Sequence, residues 1–555
     1  MKIDGSRTWQ IGHDDGVTQP TAGVAMTDPM TSSLPAPRRA PSRAQLVLAH
    51  LAPILSLVVV RPWVQSAFPV WDYGEMLPLF HRSTGLWSAF QALCTFTRAD
   101  GRANYLTYLQ LAVNWAIAGD NTVLWQWQRA ILMLLAASLF VAVVRRAGGT
   151  LTAAVIGGIL LPIAVPSTEG WLFIMGEPLA VVLLLLLFLA ASGYQHTDRW
   201  RMRASLITVL AAAVLLSKEV IGICLPAVIA LAVCWIPGTG FRFPRTSPRL
   251  YWLTGLLLVV LVLEGWSVEW ALSHAVTHAY AKSFAAGSLS FAVFWNTLQA
   301  MVLPDRFWSA GAQTALFPAN VVYLAVMAAG VIMWLGRGAS REGRIWIAGL
   351  ASCPIAGALL YALWPRYSAF YGIPFFVASA GLFVAALDQI VLHVKSGRWL
   401  ALAAGLVVIG YSASVSERTV GNKRSIADIA AAIARTFPRL PKLDTVFVVS
   451  PRQGGRHWPV TAPELRQYAA AIGVPDSALP VITEATCEAV TDRLHQPLLR
   501  NAVLDDHNPC GPLPAVTLQW TATPPYFDLG SWQRKHDQEE VDILAPSWIL
   551  TRPTR

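Results

Sequence analysis

Residues 172–193 read LFIMGEPLAVVLLLLLFLAASG, a stretch in which Glu177 is the only charged side chain. About 20 predominantly apolar residues are enough for a helix to cross the hydrocarbon core of a bilayer. The chain has 555 residues, of which 55% are hydrophobic and 13% are charged, well outside the composition of soluble domains. The sequence therefore predicts a membrane protein with many spans.

Hydropathy on both sides of this stretch predicts an all-α polytopic bundle with about 11 transmembrane helices. The predicted spans are residues 44–61, 127–144, 150–166, 172–193, 204–217, 220–236, 251–267, 318–336, 345–363, 367–391 and 398–413. Spans 150–166, 204–217 and 220–236 are too short for a straight crossing. Short or broken helices are typical of bundles that enclose a water-filled cavity.

Basic residues recur at every second junction between the predicted spans. The formal net charge is +10. Most of the basic side chains lie in short loops between spans, where they set the orientation of the chain in the membrane. The charge is therefore not evidence for a nucleic-acid partner, and we exclude one. The junctions hold Arg145 and Arg146; Arg199, Arg201 and Arg203; Arg242, Arg245 and Arg249; Arg337, Arg341 and Arg344; and Lys395 and Arg398. Because loops rich in Lys and Arg stay in the cytoplasm, these junctions predict a cytoplasmic N-terminus and an extracytoplasmic C-terminus. Acidic residues near the span ends then collect outside, where we expect the active site.

Composition divides the chain into three predicted regions. Residues 1–45 are rich in Pro, Ser and Thr and predict a disordered cytoplasmic tail. Residues 46–413 form the membrane domain, whose first apolar run is a retained anchor rather than a cleaved signal peptide. Residues 414–555 predict a small extracytoplasmic α/β domain. Its predicted elements are a helix at Ile426–Thr436, a strand at Thr445–Ser450 and a helix at Thr461–Ile472.

Two stretches of the first outer loop, Leu86–Phe96 and Tyr105–Ile117, predict amphipathic helices at the membrane interface. The tryptophans expected to anchor them among the lipid headgroups are Trp87, Trp115, Trp125 and Trp127. A third such stretch is Phe291–Leu303.

Five of the six cysteines divide by position into two groups. Cys224, Cys234 and Cys353 lie in predicted spans and indicate packing residues. Cys487 and Cys510 lie in the predicted outer domain, where an oxidising compartment allows a disulfide.

The candidate functional residues lie at the predicted outer ends of spans. They are Asp72 and Glu75 in loop one, Glu169 and Glu177 around the fourth span, Lys218 and Glu219 in an outer hairpin turn, and Arg366 and Tyr367 after the ninth span. Carboxylates there can accept a proton or bind a divalent cation, and an arginine can bind phosphate through two hydrogen bonds. Structural alternatives are a solvated loop, a helix cap, mutual neutralisation of Lys218 and Glu219, and snorkelling of Arg366.

The order of these motifs resembles the GT-C superfamily of multispanning, lipid-phosphate-dependent glycosyltransferases. It is similar in particular to protein O-mannosyltransferases that carry tetratricopeptide repeats and to their bacterial relatives. The residues that carry the resemblance are Trp71-Asp72, Arg102-Ala103-Asn104-Tyr105, Pro166-Ser167-Thr168-Glu169-Gly170-Trp171, Ser217-Lys218-Glu219 with Pro226, and Arg366-Tyr367. Tyr73 stands where that branch has a second acid, and no tetratricopeptide period follows Ser414.

The resemblance implies transfer of a sugar from a polyprenyl-phosphate donor to a glycan, lipid or protein hydroxyl, with inversion. It implies Asp72 as the base and Lys218 and Arg366 as phosphate ligands. Glu169 and Glu219 would position the sugar or orient those cations. A divalent cation is compatible with the sequence, which does not require one. The expected location is an integral membrane protein, most simply of a bacterial inner membrane.

Two other classes fit the same composition. A transporter would use buried charges in broken helices to carry a polar solute, but no internal repeat links the two halves of the chain. A noncatalytic scaffold of envelope assembly would use the outer domain. Only a transferase predicts a covalently labelled product from a radiolabelled lipid-linked sugar.

Overall fold

The computed structural model describes the chain in separate stretches. They are residues 41–59, 76, 79–99, 102–119, 121–172, 176–194, 197–236, 240–241, 247–274, 291–305, 318–336, 341–363, 372–436, 445–449, 481–485, 498–500, 517–520, 539–545 and 548–553. Met1–Ser42 and Arg43–Arg555 are separate units.

Helices dominate the described residues up to Thr436. They are α1 Arg43–Leu51, α2 Leu86–Ala99, α3 Tyr105–Ala118, α4 Thr122–Arg146, α5 Leu151–Ile163, α6 Val165–Leu172, α7 Glu177–Ala191, α8 Trp200–Ser217, α9 Leu225–Cys234, α10 Pro248–Ser273, α11 Phe291–Val302, α12 Pro318–Gly336, α13 Arg341–Leu363, α14 Ile373–His393 and α15 Gly397–Thr436. Short 3-10 helices cover Ala52–Ser56 and Glu219–Cys224.

Each predicted span overlaps a described helix. Among the described residues, five helices are long and apolar enough to cross a membrane by length and composition: Val123–Arg146, Trp200–Ser217, Pro248–Ser273, Ile373–His393 and Gly397–Glu417. The other apolar helices are shorter. These helices are compatible with an integral membrane protein, as the composition predicts.

The three interfacial stretches are helical, as α2, α3 and α11. Trp87 is 62% exposed, as a headgroup anchor requires. Trp125 is not an anchor, because it is buried, lies tilted against Phe80 with ring centroids 6.1 Å apart, and donates its indole N–H to the Gly119 carbonyl at 2.9 Å. A buried tryptophan commonly finds such a partner for its polar edge.

Arginines from several junctions meet at one end of the bundle, here called the basic end. Arg249, at the start of α10, accepts a 2.8 Å hydrogen bond from the Tyr194 hydroxyl through its backbone carbonyl. Arg203 in α8 donates to the Gly193 carbonyl at 3.3 Å. Arg146, at the end of α4, is close enough to Arg203 for the two charges to interact. Three of the five basic junctions of the sequence therefore share one end.

The helices that leave the basic end break at the opposite end. Helix α5 contains Pro162 and stops at Ala164, whose extended backbone (ψ 144°) separates it from α6. Helix α8 stops at Lys218, which is also extended (φ −160°, ψ 104°) and leads into the 3-10 helix. A helix-interior proline removes a hydrogen-bond donor and interrupts the helix. The short spans expected from hydropathy are thus broken helices.

The core packs by close approach of small residues against aromatic side chains. An added Cβ on Gly157 would lie 2.5 Å from Val384 and 2.7 Å from Phe140, and one on Gly330 would lie 2.4 Å from the Ala386 Cβ. Buried Phe376 and Phe383 extend this core. Small residues let membrane helices approach closely, because apolar burial alone gives little attraction between helices in lipid.

After Thr436, the structure describes six strands: β3 Thr445–Val449, β4 Val481–Ala485, β5 Leu498–Arg500, β6 Thr517–Trp520, β7 Glu539–Ala545 and β8 Trp548–Pro553. They form one sheet in the order β4-β3-β5-β6-β8-β7. β4, β3, β5 and β6 are parallel, while β8 and β7 join antiparallel. A further two-stranded pair joins β1 Trp235–Ile236 and β2 Gly240–Phe241.

The expected strand at Thr445–Ser450 is present as β3. The expected helix at Ile426–Thr436 is the continuation of α15, which runs without interruption through the predicted domain boundary at residue 414. The predicted helix Thr461–Ile472, Cys487 and Cys510 lie outside the described residues. Cys224, Cys234 and Cys353 are buried free thiols, consistent with packing residues.

The close contact at Gly330 gives a test of helix packing. Gly330→Ala should destabilise the protein by about 1–3 kcal/mol, because the new methyl meets the short Ala386 side chain and its backbone. The control is Gly255→Ala on α10, where nothing lies within 4 Å; it should be neutral or stabilising by about 0.5–1 kcal/mol. Thermal unfolding in detergent measures both. Equal midpoints for the two variants would contradict this packing.

Candidate functional site at the acidic end

A buried ion pair marks the end of the bundle opposite the arginines. The Lys218 Nζ lies 2.9 Å from the Glu177 Oε1, and the two side chains are 5% and 1% exposed. Glu177 begins α7, about 21 Å along that helix from its basic-end terminus at a rise of ~1.5 Å per residue. A carboxylate is favoured at a helix N-terminus, and each buried charge is stabilised by its partner.

The turn that carries Lys218 is fixed by helix α3. The Thr107 hydroxyl donates a 2.7 Å hydrogen bond to the Ser217 carbonyl. A Cβ on Gly176 would lie 2.0 Å from the Thr107 Oγ1 and 2.5 Å from the Ser217 oxygen. Glycine is therefore required where α7 begins, since any side chain would separate α3 from the turn. These contacts join three distant stretches of sequence.

Two further carboxylates lie near this pair. Glu219 follows Lys218 directly, and Glu264 lies on α10 about 22 Å from Arg249 along the helix at ~1.5 Å per residue. Glu264 is 9% exposed, and the two carboxylates are close enough for their charges to interact. Among the described residues, neither the Glu219 Oε2 nor the Glu264 Oε1 has a hydrogen-bond partner.

Asp305 is a fourth acidic residue at the same end, which we call the acidic end and define by Glu177, Glu219, Glu264 and Asp305. The Val165 N–H, just after α5, donates to the Pro304 carbonyl at 2.7 Å. The Asp305 N–H donates to the Asn320 Oδ1 at 3.2 Å. These two bonds fix the segment that follows α11.

The Asp305 side chain is fully buried, and within the described part of the chain neither carboxylate oxygen has a hydrogen-bond partner. Asp305 follows α11 and lies outside the candidate spans. Burial raises the pKa of Asp305 from 3.8 to about 6, and the nearby Ser412 hydroxyl offsets part of this shift. Loss of hydration disfavours the ionised form.

The structure brings together three of the predicted site residues, Glu177, Lys218 and Glu219. Glu169 lies on α6, where only its backbone is described. Asp72, Glu75, Arg366 and Tyr367 lie outside the described residues.

Sequence reasoning missed Glu264 and Asp305. The available signal for Glu264 was a single carboxylate inside the apolar span 251–267. Ionisable residues within membrane helices usually face the interior of the bundle and carry a function. Asp305 had no comparable signal, because it follows a short apolar helix in a polar sequence.

The described residues hold no group of three or more His, Cys, Asp or Glu side chains that would bind a metal by themselves. In comparisons with known proteins, no protein-family model and no curated protein matches the chain.

The buried ion pair predicts an asymmetric mutational result. Lys218→Met should destabilise the protein by about 3–5 kcal/mol, because it leaves the Glu177 carboxylate buried without its partner. The double variant Glu177→Gln with Lys218→Met should recover most of that loss. Exposed Lys395→Met is the control. Thermal unfolding in detergent is the measurement, and additive effects of the two single changes would contradict a direct pair.

Burial of Asp305 predicts a pH dependence of stability. Because the folded pKa is raised, the folded state retains a proton that the unfolded chain loses between about pH 4 and pH 6. The free energy of unfolding should therefore fall by up to about 3 kcal/mol as the pH rises through this window.

Asp305→Asn should remove this contribution and stabilise the protein more at pH 7 than at pH 4.5. Asp198→Asn, at an exposed position, is the control. Unfolding midpoints at the two pH values measure the difference. The same pH response in the wild type and in Asp305→Asn would show that Asp305 does not titrate in this window.

Proposed function

We propose that this protein is an inverting membrane glycosyltransferase that moves a sugar from a polyprenyl-phosphate donor to an acceptor hydroxyl. The observation that supports it most is the meeting of α3 with the Ser217-Lys218-Glu219 turn through the Thr107 hydroxyl. Helix α3 begins at Tyr105, the last residue of the stretch Arg102-Ala103-Asn104-Tyr105. Two motifs of the GT-C resemblance, more than 100 residues apart in sequence, therefore lie side by side.

The proposal includes the topology of a GT-C enzyme. The chain crosses the membrane about 11 times, with the basic end in the cytoplasm and the acidic end outside. Helices α2 and α3 lie at the outer interface, and residues 414–555 form an extracytoplasmic α/β domain. The separation of the basic junctions from the buried carboxylates supports this orientation, since basic loops are retained on the cytoplasmic side.

The reaction requires a base and cationic groups. The acceptor oxygen forms a bond to the anomeric carbon as the bond from that carbon to the phosphate oxygen breaks, and the lipid phosphate leaves as an anion. In this mechanism Asp72 takes the acceptor's proton, while Arg366 and Lys218 stabilise the departing phosphate. Glu177 fixes the direction of the Lys218 side chain. Glu75, Glu169, Glu219 and Tyr367 contact the sugar or orient the cations.

A transporter is the main competing class, because α5 and α8 are both interrupted helices and the break after α8 lies at Lys218. Transporters bind their solutes near the middle of the membrane, where broken helices meet. Here the break after α8 lies about 25 Å from the basic end of that helix at ~1.5 Å per residue. Both breaks lie at the acidic end, which favours chemistry at one membrane surface over passage through the centre.

The assignment of Asp72 predicts loss of chemistry without loss of structure. Asp72→Asn should reduce transfer from a radiolabelled polyprenyl-phosphate sugar by about 10²–10⁴-fold, the contribution of a general base. The unfolding midpoint should stay at the wild-type value. Asp198→Asn, exposed at the basic end, should transfer normally.

Full activity of Asp72→Asn would overturn the role of Asp72. Absence of any labelled product from the wild type with a panel of lipid-linked sugars, together with solute uptake into proteoliposomes, would instead support transport.

A further inference from the structure

A cavity of about 380 Å³ lies where α8, α9 and α10 meet, and its walls are almost entirely apolar. We call it the lateral groove; its lining includes Ala211, Leu215, Ala230, Leu250, Leu258 and Leu261. Leu258 and Leu261 are 56% and 43% exposed although they line the cavity. The lateral groove therefore opens at the surface of the bundle, where a membrane would present hydrocarbon chains.

The lateral groove runs along the helices for about the depth of one membrane leaflet. Its lining extends from Leu225 to Cys234 on α9 and from Leu250 to Leu261 on α10. These stretches are about 14 and 17 Å long at a rise of ~1.5 Å per residue. The hydrocarbon core of a bilayer is ~30 Å thick, so each leaflet contributes about 15 Å. The groove thus has the length that one acyl chain of a single leaflet occupies.

Two arginines flank a tryptophan at the basic end of the lateral groove. The Arg201 Cζ lies 5.3 Å and the Arg249 Cζ 5.8 Å from the centroid of the Trp200 ring. Trp200 and Leu250 both pack against the apolar cluster that contains Cys234, and Leu250 and Cys234 line the groove. The groove and the two guanidinium groups therefore adjoin each other at Trp200, a residue type enriched at the level of lipid headgroups.

The electrostatics of this end favour an anion. Residues 198–203 hold three arginines and one carboxylate, that of the exposed Asp198. Arg201 is exposed and forms no ion pair with an acidic residue that the structure describes. The Arg249 Nη1 donates to the Thr197 carbonyl at 3.2 Å, which holds its guanidinium in place. Helices α8 and α10 both begin here, and a helix N-terminus carries partial positive charge.

We propose that the lateral groove and the arginines beside Trp200 together bind one anionic glycerophospholipid from the leaflet at the basic end. An acyl chain lies in the groove, and the headgroup phosphate lies against Arg201 and Arg249. Basic pockets between membrane helices on the cytoplasmic side are typical binding sites for anionic headgroups. Guanidinium groups bind phosphate through charge-assisted hydrogen bonds. A zwitterionic lipid gains less, because its own cation offsets the attraction of its phosphate to the arginines.

This site is distinct from the proposed donor site. In the proposed reaction the phosphate of the donor meets Lys218, at the other end of α8 and about 25 Å from Trp200 at ~1.5 Å per residue. Binding of a phospholipid at the basic end requires no sugar transfer. Its test is therefore independent of the proposed glycosyltransferase activity.

The test is native mass spectrometry of the full chain in detergent, titrated with phosphatidylglycerol or with phosphatidylcholine that carries the same acyl chains. One basic residue near a membrane surface contributes about fivefold to binding of an anionic lipid. The wild type should therefore bind one phosphatidylglycerol about tenfold or more tightly than phosphatidylcholine. Arg201→Gln should weaken phosphatidylglycerol binding about fivefold. Arg398→Gln, an exposed position at another basic junction, should bind as the wild type does.

A second pair of variants tests the lateral groove. Ala230→Trp places an indole in the groove from an exposed position on α9 and should abolish the tight binding of phosphatidylglycerol. The control is Val262→Trp, which is 68% exposed on α10 and does not line the groove. Both positions are exposed, so both variants should fold, and their unfolding midpoints verify this.

Three results would overturn the proposal. Equal affinity for the two lipids would show that the arginines do not select an anion. An equal loss in Arg201→Gln and Arg398→Gln would show diffuse attraction to a basic surface instead of a site. Displacement of phosphatidylglycerol by polyprenyl phosphate from the wild type, but not from Ala230→Trp, would assign the groove to the donor lipid.

Discussion

Backbone N–H and C=O groups must be hydrogen-bonded within the protein wherever water is excluded, and this constraint organises the bundle. Helices satisfy it along most of the chain. Where the backbone leaves the helix after α5, the Val165 N–H bonds to the Pro304 carbonyl. Where it leaves after α8, the Ser217 carbonyl accepts from Thr107. Each break therefore requires a partner from a distant segment, and the segment that holds Pro304 also carries Asp305.

The exclusion of water also explains why a charged side chain at the acidic end either has an ion-pair partner or is disfavoured in its ionised form. Lys218 and Glu177 are both nearly inaccessible to water, so each depends on the other. Glu264 and Asp305 are buried without such a partner among the described residues. A fold that keeps unpaired carboxylates in a dry interior stores an unfavourable interaction, and functional sites are where proteins retain such interactions.

The charged residues at the two ends of the bundle make different kinds of contact. At the basic end the arginines bond to backbone carbonyls, as Arg203 does to Gly193 and Arg249 to Thr197. Asp388 is an acidic exception there, since it accepts a 2.8 Å bond from the Thr150 N–H at the start of α5. That carboxylate caps a helix. At the acidic end Glu177 pairs with Lys218 instead, and both side-chain oxygens of Asp305 are buried with no hydrogen-bond partner among the described residues.

The sequence by itself determined the helices, because an apolar run in hydrocarbon has one way to satisfy its backbone; the weak helices around Pro162 and Lys218 were visible as spans too short to cross. It also predicted that Lys218, Glu219 and Glu177 lie at helix ends, where the structure has them. Hydropathy does not specify which helix neighbours which. Only the tertiary structure paired Lys218 with Glu177 rather than with adjacent Glu219, turned Glu264 inward, and buried Asp305. Those outcomes depend on close helix approach at residues such as Gly176, where a missing side chain lets two segments touch.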